Sequence, residues 1–159
     1  MRAESLLLSN EDVRIALGES ARVEPGSASP APTSVGQVLR AAATDSAYDR
    51  FVGVSVGEGE ERPLAVSSLA LVFDSAGTAD HTFDQVAQAS HMRTEVEGAA
   101  VAVETVTGQQ GLVSYWAYVH RGPVITVLTL DTLDPQAIAM TEFRSLVIRA
   151  AERQDLLLR

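Results

Sequence analysis

One segment of the chain, Gly53-Val54-Ser55-Val56-Gly57, has the Gly-x-Ser-x-Gly pattern with which hydrolases hold a nucleophilic serine. Those enzymes place the serine on a sharp turn from a strand to a helix, which exposes its hydroxyl for attack on a carbonyl carbon. Here the flanking residues alternate in the manner of a strand, and Gly57 leads into an acidic turn rather than a helix. We therefore rank a serine hydrolase using Ser55 below the non-catalytic alternatives.

The histidines His81, His91 and His120 are the candidates for metal binding, because the chain contains no cysteine. A zinc site needs three or four ligands that converge on one point. His81 and His91 lie at opposite ends of one predicted helix and cannot converge, so we interpret both as exposed helix-end residues. All 12 basic side chains are arginine, which removes the lysine that Schiff-base chemistry requires. The sequence predicts no catalytic residue, no metal and no cofactor.

Trp116, Tyr118, His120 and Arg121 form the most notable aromatic and polar cluster in the sequence. Alternate residues of a strand project from the same face, so Trp116, Tyr118 and His120 would share one face. Such a face either packs in the core or lines a groove that binds a ligand. Aromatic residues make up 5% of the chain, and the other predicted strands consist mainly of valine and leucine. We predict these four residues as candidates for ligand binding.

The charge and the composition limit the classes of partner. A formal net charge of −9 disfavours nucleic acid and anionic membranes, because both repel an acidic surface. No apolar segment is long enough to cross a membrane, so no membrane insertion is predicted for these residues. With 159 residues, 46% of them hydrophobic, the chain matches one globular domain that folds without a disulfide.

Apolar residues at helical spacing predict the helices that surround these candidates. The predicted helices span residues 9–18, 34–48, 82–90 and 134–153. The first has a favourable N-cap in Ser9 and a favourable end in Gly18. The last has Asp134 as its N-cap and Pro135 at its first position. Residues 74–80 are predicted to form a turn.

Alternating apolar residues between short turns predict the strands. The predicted strands span residues 51–56, 64–73, 96 or 99 to 107, 112–120 and 124–130. Because consecutive strands with short connections pair antiparallel, we expect an antiparallel sheet of about five strands. The long C-terminal helix should cover one face of it, with shorter helices alongside. The predicted fold is α+β, one domain of residues 1–159 with a flexible loop rich in proline, serine and alanine at residues 24–34.

Three stretches of the chain are similar to one known family. They are Leu6-Leu7-Leu8-Ser9-Asn10-Glu11-Asp12-Val13 with Ala16-Leu17-Gly18, Val96-Glu97-Gly98-Ala99-Ala100-Val101-Ala102-Val103, and Trp116-Ala117-Tyr118-Val119-His120-Arg121-Gly122-Pro123-Val124-Ile125-Thr126-Val127. In this order, with the closing helix, the chain resembles the extracellular sensor domain of the PknH-type mycobacterial serine/threonine kinases and related actinobacterial cell-envelope lipoproteins. The absence of lysine suits an actinobacterial source. The kinase sensor domains carry disulfides, which this cysteine-free chain lacks.

The resemblance implies ligand binding or sensing outside the membrane, through a groove over the sheet, and it carries over no catalytic residue. We therefore expect a non-catalytic, extracytoplasmic or cell-envelope domain whose partner is an unknown small molecule, a lipid or an envelope component. The alternative is a cytoplasmic structural or interaction protein that forms a homodimer. Nucleic acid is a partner in neither case.

Overall fold

Seven strands form one antiparallel sheet in the computed structural model, which describes residues 1–26, 34–88, 90, 92–136, 138 and 140–159. The strands are β1 (Ala21–Pro25), β2 (Asp45–Gly57), β3 (Glu60–Val72), β4 (Met92–Val96), β5 (Ala99–Thr107), β6 (Val113–Arg121) and β7 (Val124–Thr132). Their order across the sheet is β1-β2-β3-β7-β6-β5-β4, and all neighbours pair antiparallel. Strands β1 and β4 are therefore its edges, and the β3–β7 pair joins the N-terminal strands to the C-terminal strands.

The described part of the sheet has seven strands rather than about five, because the sequence pattern did not predict either edge strand. Strand β1 ends at Pro25, inside the segment predicted as a loop at residues 24–34. Residues 27–33 of that loop lie outside the described residues. Four exposed residues in succession give β4 no alternation, since an edge strand needs no continuous buried face. The α+β class and the antiparallel pairing of the consecutive strands β2 and β3 are confirmed.

Four α-helices flank the described sheet. They are α1 (Asn10–Leu17), α2 (Ser34–Ala42), α3 (Ala76–Ala87) and α4 (Met140–Leu158), and 3₁₀ turns lie at Ala3–Leu6, Gly18–Ser20 and Gln109–Gly111. The predicted start of α1 is confirmed, because the Ser9 hydroxyl accepts from the Asp12 backbone N–H while the Asp12 carboxylate accepts from the Ser9 N–H. This reciprocal capping box satisfies two donors that the helix itself leaves unpaired.

The bounds of two other helices differ from the prediction. Helix α2 ends at Ala42 rather than residue 48, because the chain from Asp45 onward already pairs with β3. Helix α3 begins inside the predicted turn at residues 74–80, because the Ser75 hydroxyl caps it by accepting from the Thr78 N–H at 3.1 Å. The predicted turn was therefore wrong, and a serine N-cap is the signal that was overlooked.

The predicted start of the C-terminal helix at Asp134 was also wrong. Helix α4 begins at Met140 and continues to Leu158, five residues beyond the predicted end. The Asp134 N–H donates to the Thr132 hydroxyl at 3.0 Å, and the Ile138 N–H donates to the Asp134 carbonyl at 3.1 Å. Asp134 is thus held at the end of β7 in a separate turn that buries Ile138 completely. Tertiary packing of Ile138 has overridden a strong local helix signal.

Helices cover both faces of the sheet, whereas the sequence predicted the main cover on one face. On one face, called the α4 face, α1 and α4 pack on a core that includes Phe51, Leu130 and Phe143. On the opposite face, called the α3 face, α2 and α3 pack on a second core that includes Leu71 and Ile125. The two cores make this a sheet buried from both sides along much of its length.

A two-residue turn, Glu97-Gly98, connects β4 to β5. Both residues have positive φ, 48° for Glu97 and 73° for Gly98, and the flanking Val96 and Ala99 are paired. These angles are those of a type I′ turn, whose twist matches that of the flanking strands. The turn thus fixes the register of the edge strand β4 against β5.

Candidate functional site

Ser55 has none of the geometry of a hydrolase nucleophile. It lies inside β2, and its side chain is fully buried on the α4 face. Gly53 is required by strand pairing instead, because a Cβ at that position would overlap the carbonyl oxygen of Arg22 in β1. His120 lies on the opposite face of the sheet. The Gly-x-Ser-x-Gly sequence is therefore part of a continuous strand.

The remaining histidine positions give no cluster of ligands. His81 is exposed on α3, with Nε2 at 3.1 Å from the side-chain amide nitrogen of Gln85. His91 lies outside the described residues. Across residues 1–26, 34–88, 92–136 and 140–159, no group of three or more histidine, aspartate or glutamate side chains is placed to hold a metal ion.

The strand register arranges the side chains of the α3 face in rows across the sheet. The two rows under α2 and α3 are largely apolar and contain the core residues Leu69, Leu71, Ile125 and Val127. The next two rows are more polar, and we call them the outer rows. They consist of Arg50, Ser67, Thr129, Trp116 and Glu104, and of Val52, Ala65, Asp131, Ser114 and Val106.

Trp116, Tyr118 and His120 share the α3 face but lie in different rows. Tyr118 is 3% exposed and His120 is 8% exposed, and both lie in the apolar rows. Burial, together with the negative charge of Glu104, raises the pKa of Tyr118 to about 12. Trp116 is half-buried in the first outer row. Among these three predicted residues, Trp116 is the one that lies in an outer row.

The contacts of His120 join α3 to the end of β6. Its ring stacks on Phe83 of α3, with 5.1 Å between the ring centroids and 26° between the planes. Its Nε2 lies 2.9 Å from the Gly122 carbonyl oxygen and 3.4 Å from Oδ1 of Asp80. These partners account for the orientation of the imidazole and hold it under the helix.

Arg121 lies on the α4 side of the sheet, away from the other three predicted residues. Its guanidinium donates to the Asp155 carboxylate of α4 and to the Glu97 carbonyl oxygen in the β4–β5 turn. Hydrogen bonding from Arg159, with a further contribution from Arg121, holds the pKa of Asp155 below its usual value. Arg121 therefore connects strand β6, the turn and α4.

A groove of about 510 Å³ adjoins the outer rows. Its lining includes Arg50, Val52, Ala65 and Asp131 from the strands, with Gln109, Gln110 and Leu112 from the loop between β5 and β6. The Arg50 guanidinium makes no hydrogen bond or ion pair with any other residue that the structure describes. The Asp131 carboxylate accepts a hydrogen bond from the Ser114 hydroxyl at 2.6 Å. The groove thus combines one cation, one oriented carboxylate and two side-chain amides.

Arg50 and Asp131 were not predicted from the sequence. Arg50 precedes the predicted strand 51–56, and Asp131 follows the predicted strand 124–130, so both fell outside the predicted elements. A signal does exist for Arg50, because it lies in phase with Val52 and Val54 on β2. A charged residue in phase with the apolar side of a strand indicates a polar site on that face.

Comparison with known proteins identifies the fold. No protein-family model and no curated protein matches the sequence. Among solved structures, the chain is similar to the extracellular domain of PknH from Mycobacterium tuberculosis, with a TM-score of 0.58 and 13% sequence identity. The alignment covers 97% of this chain and 95% of that chain. The resemblance inferred from the sequence is therefore confirmed for the fold. None of the described helices is long and apolar enough to cross a membrane.

Proposed function

We propose that this protein is a non-catalytic, sensor-like domain that binds a small ligand bearing a carboxylate or phosphate group in the groove beside the outer rows. Arg50 is the observation that carries the proposal. Arg50 is half-buried on the α3 face, and its guanidinium has no counter-ion among the described residues. An anionic ligand would supply that counter-ion.

The chemistry of arginine defines the class of ligand. A guanidinium presents a planar fork of N–H donors that matches a carboxylate or a phosphate through two parallel hydrogen bonds. The Gln109 and Gln110 amides and the Asp131 carboxylate, which also line the groove, offer donors and acceptors for the polar remainder of the ligand. The ligand proposed is therefore compact and polar, with one anionic group directed at Arg50.

Among the predicted ligand-binding residues, Trp116 lies in the same row as Arg50, with β3 and β7 between them and outside the lining of the groove. Tyr118 and His120 would support the face from beneath α3 rather than contact the ligand. The predicted role of Arg121 is less well supported, because its guanidinium is engaged on the α4 side.

An extracytoplasmic location is part of the proposal. Its support is the fold shared with an extracellular domain. Fractionation of the source cells, with the intact mass of the recovered protein, tests this part separately. We expect to recover the protein with the cell envelope or in the medium. Recovery from the cytosol alone would overturn the proposed location, but it would not affect the proposal that the groove binds a ligand.

Ligand binding is tested by isothermal titration calorimetry, which detects binding at Arg50 without a reporter group in the groove. The protein is titrated with citrate, glutamate, inorganic phosphate and glycerol 3-phosphate, and with uncharged glycerol as a reference. We expect a saturable heat of binding with at least one anion and none with glycerol.

Two matched variants assign the site. Arg50→Gln should weaken that binding by about tenfold or more, because the charged hydrogen-bond donor is lost. Arg14→Gln serves as the control, because it removes the same charge from a site on α1 where the arginine side chain is 63% exposed. Equal affinities for Arg50→Gln and Arg14→Gln, or no saturable response to any anion, would remove the basis of the proposal.

A further inference from the structure

Strand β4 leaves one side of its backbone unpaired by any strand in the part of the chain that the structure describes. It forms the edge of the sheet, and no strand of the described residues lies beyond it. Met92, Arg93, Thr94 and Glu95 are all exposed. An exposed edge strand is a template for pairing with another chain unless a proline, a bulge or a cover blocks it.

The β4–β5 turn decides which backbone groups point outward. A two-residue type I′ turn closes on a hydrogen-bonded pair, here Val96 and Ala99. Because hydrogen-bonded and non-hydrogen-bonded pairs alternate along an antiparallel ladder, Val96 and Thr94 bond inward to β5. The N–H and C=O groups of Arg93 and Glu95 therefore point to the open side.

The side chains of these same two residues are complementary. In an antiparallel pair of two β4 strands, the outward-bonding residues face each other in one of three registers: Arg93 opposite Arg93, Glu95 opposite Glu95, or Arg93 opposite Glu95. The first two registers set like charges directly opposite each other, which is destabilising. The third sets Arg93 opposite Glu95 twice, with Thr94 opposite its own copy and Met92 opposite Val96.

We propose that two copies of this chain associate through antiparallel pairing of their β4 strands, with a two-fold axis at Thr94. The pairing forms about four backbone hydrogen bonds and two reciprocal Arg93–Glu95 ion pairs. Met92, which is 52% exposed in the single chain, gains an apolar neighbour in Val96. The Arg93 guanidinium also lies 3.2 Å from the Asp84 carboxylate of α3 within one chain. Each ion pair between the two copies would therefore extend an ion pair that the single chain already has.

The other edge of the sheet lacks these features. Gly26 donates to the Arg50 carbonyl at 2.7 Å, which places Glu24 and Arg22 on the inward-bonding side of β1. The outward groups of β1 belong to residues that include Pro25, which has no N–H to donate. Strand β1 therefore cannot form a continuous ladder with a further strand, and we assign the association to β4.

The expected dimer is weak. Pairing of a five-residue strand buries less than the roughly 800 Å² per partner of a stable complex. We therefore expect a dissociation constant of roughly 100 µM, within reach of sedimentation equilibrium at high protein concentration.

Charge reversal tests the register. Glu95→Arg and Arg93→Glu each create like-charge pairs at the two-fold axis and should each weaken self-association by about tenfold or more. An equimolar mixture of the two variants restores opposite charges at both pairs and should form a one-to-one heterodimer. The double variant Arg93→Glu with Glu95→Arg should regain self-association, because it exchanges the two charges.

Controls separate the interface from charge and from folding. Glu24→Arg makes the same charge change at an exposed position of β1 and should associate as the wild type does. Thermal unfolding of each variant establishes that it is folded. A wild-type chain that stays monomeric to about 1 mM, or a mixture of the two single variants that fails to associate, would overturn the proposal.

Discussion

Asp12 of α1 and Arg153 of α4 form an ion pair between the first and the last helix of the chain. The same Asp12 carboxylate accepts from the Ser9 N–H at 2.8 Å and from the Ser9 hydroxyl at 2.7 Å. Although burial raises the pKa of Asp12, these hydrogen bonds and the charge of Arg153 outweigh it and hold the pKa below its usual value. One carboxylate therefore caps α1 and links it to α4.

Asp12→Asn should lower the free energy of unfolding at pH 7 by about 1 kcal/mol, the usual cost of losing a helix cap or a partly exposed ion pair. Because the pKa of Asp12 is lowered in the folded state, its contribution is present above the unfolded-state pKa and disappears as the pH falls through the folded-state value. Urea unfolding at neutral pH and in strong acid should show the difference between wild type and variant closing in acid. Glu11→Gln, in the same helical turn but exposed, is the control that should change stability by less than about 0.5 kcal/mol. Equal losses in both variants would contradict the link.

Gln154 is a fully buried polar residue on α4. Its side-chain amide nitrogen donates to the Val119 carbonyl at 2.9 Å and to the Thr126 hydroxyl at 3.0 Å. Gln154→Leu keeps the volume, removes both hydrogen bonds and leaves the buried Thr126 hydroxyl without this donor, but it also removes the buried Gln154 Oε1, which has no hydrogen-bond partner among the described residues. It should therefore cost about 1 kcal/mol in urea unfolding. Adding Thr126→Val should recover part of that loss, because it removes one of the orphaned groups. A double variant that loses the full sum of both single effects would show that the hydrogen bond does not stabilise the fold.

Tyr118 should ionise only in strong alkali, since burial and the negative charge of Glu104 raise its pKa to about 12. A group whose folded-state pKa is raised stabilises the fold below its unfolded-state pKa, and that contribution is lost as the pH rises through the folded-state value. Ultraviolet absorbance during alkaline titration should therefore show a late component that Tyr118→Phe removes. The variant should also lose stability less steeply above about pH 10. A titration curve unchanged by Tyr118→Phe would contradict the burial of this phenol.

Local signals account for the parts of the fold that were predicted from sequence. Ser9 and Gly18 mark α1 because capping involves residues within a few positions of one another. Asp134 and Pro135 carry an equally strong local signal, yet α4 begins at Met140 because the turn after β7 buries Ile138. A helix boundary is predictable from sequence only where tertiary packing does not compete with the cap.

The candidate site was less predictable than the fold. The common face of Trp116, Tyr118 and His120 follows from the two-residue period of a strand. Two features of the site depend on tertiary structure instead. Phe83 of α3 stacks on His120, and Arg50 lies in the row of Trp116 because the strand order places β3 next to β7. Nothing local to Arg50 or Trp116 specifies that neighbourhood.

The strand order also determines how the chain can fold. Strands β1–β3 and β4–β7 are two meanders in which paired residues are at most 34 residues apart in sequence, whereas the β3–β7 partners are 52 to 68 residues apart. Closing so long a loop is the entropically costly step, so docking of β3 on β7 should limit the folding rate. Substitutions at this seam are expected to slow folding, while those in β1 or β4 chiefly speed unfolding. Formation of the central β3–β7 pair is thus expected to be the rate-limiting step of folding, with β1 and β4 docking after it.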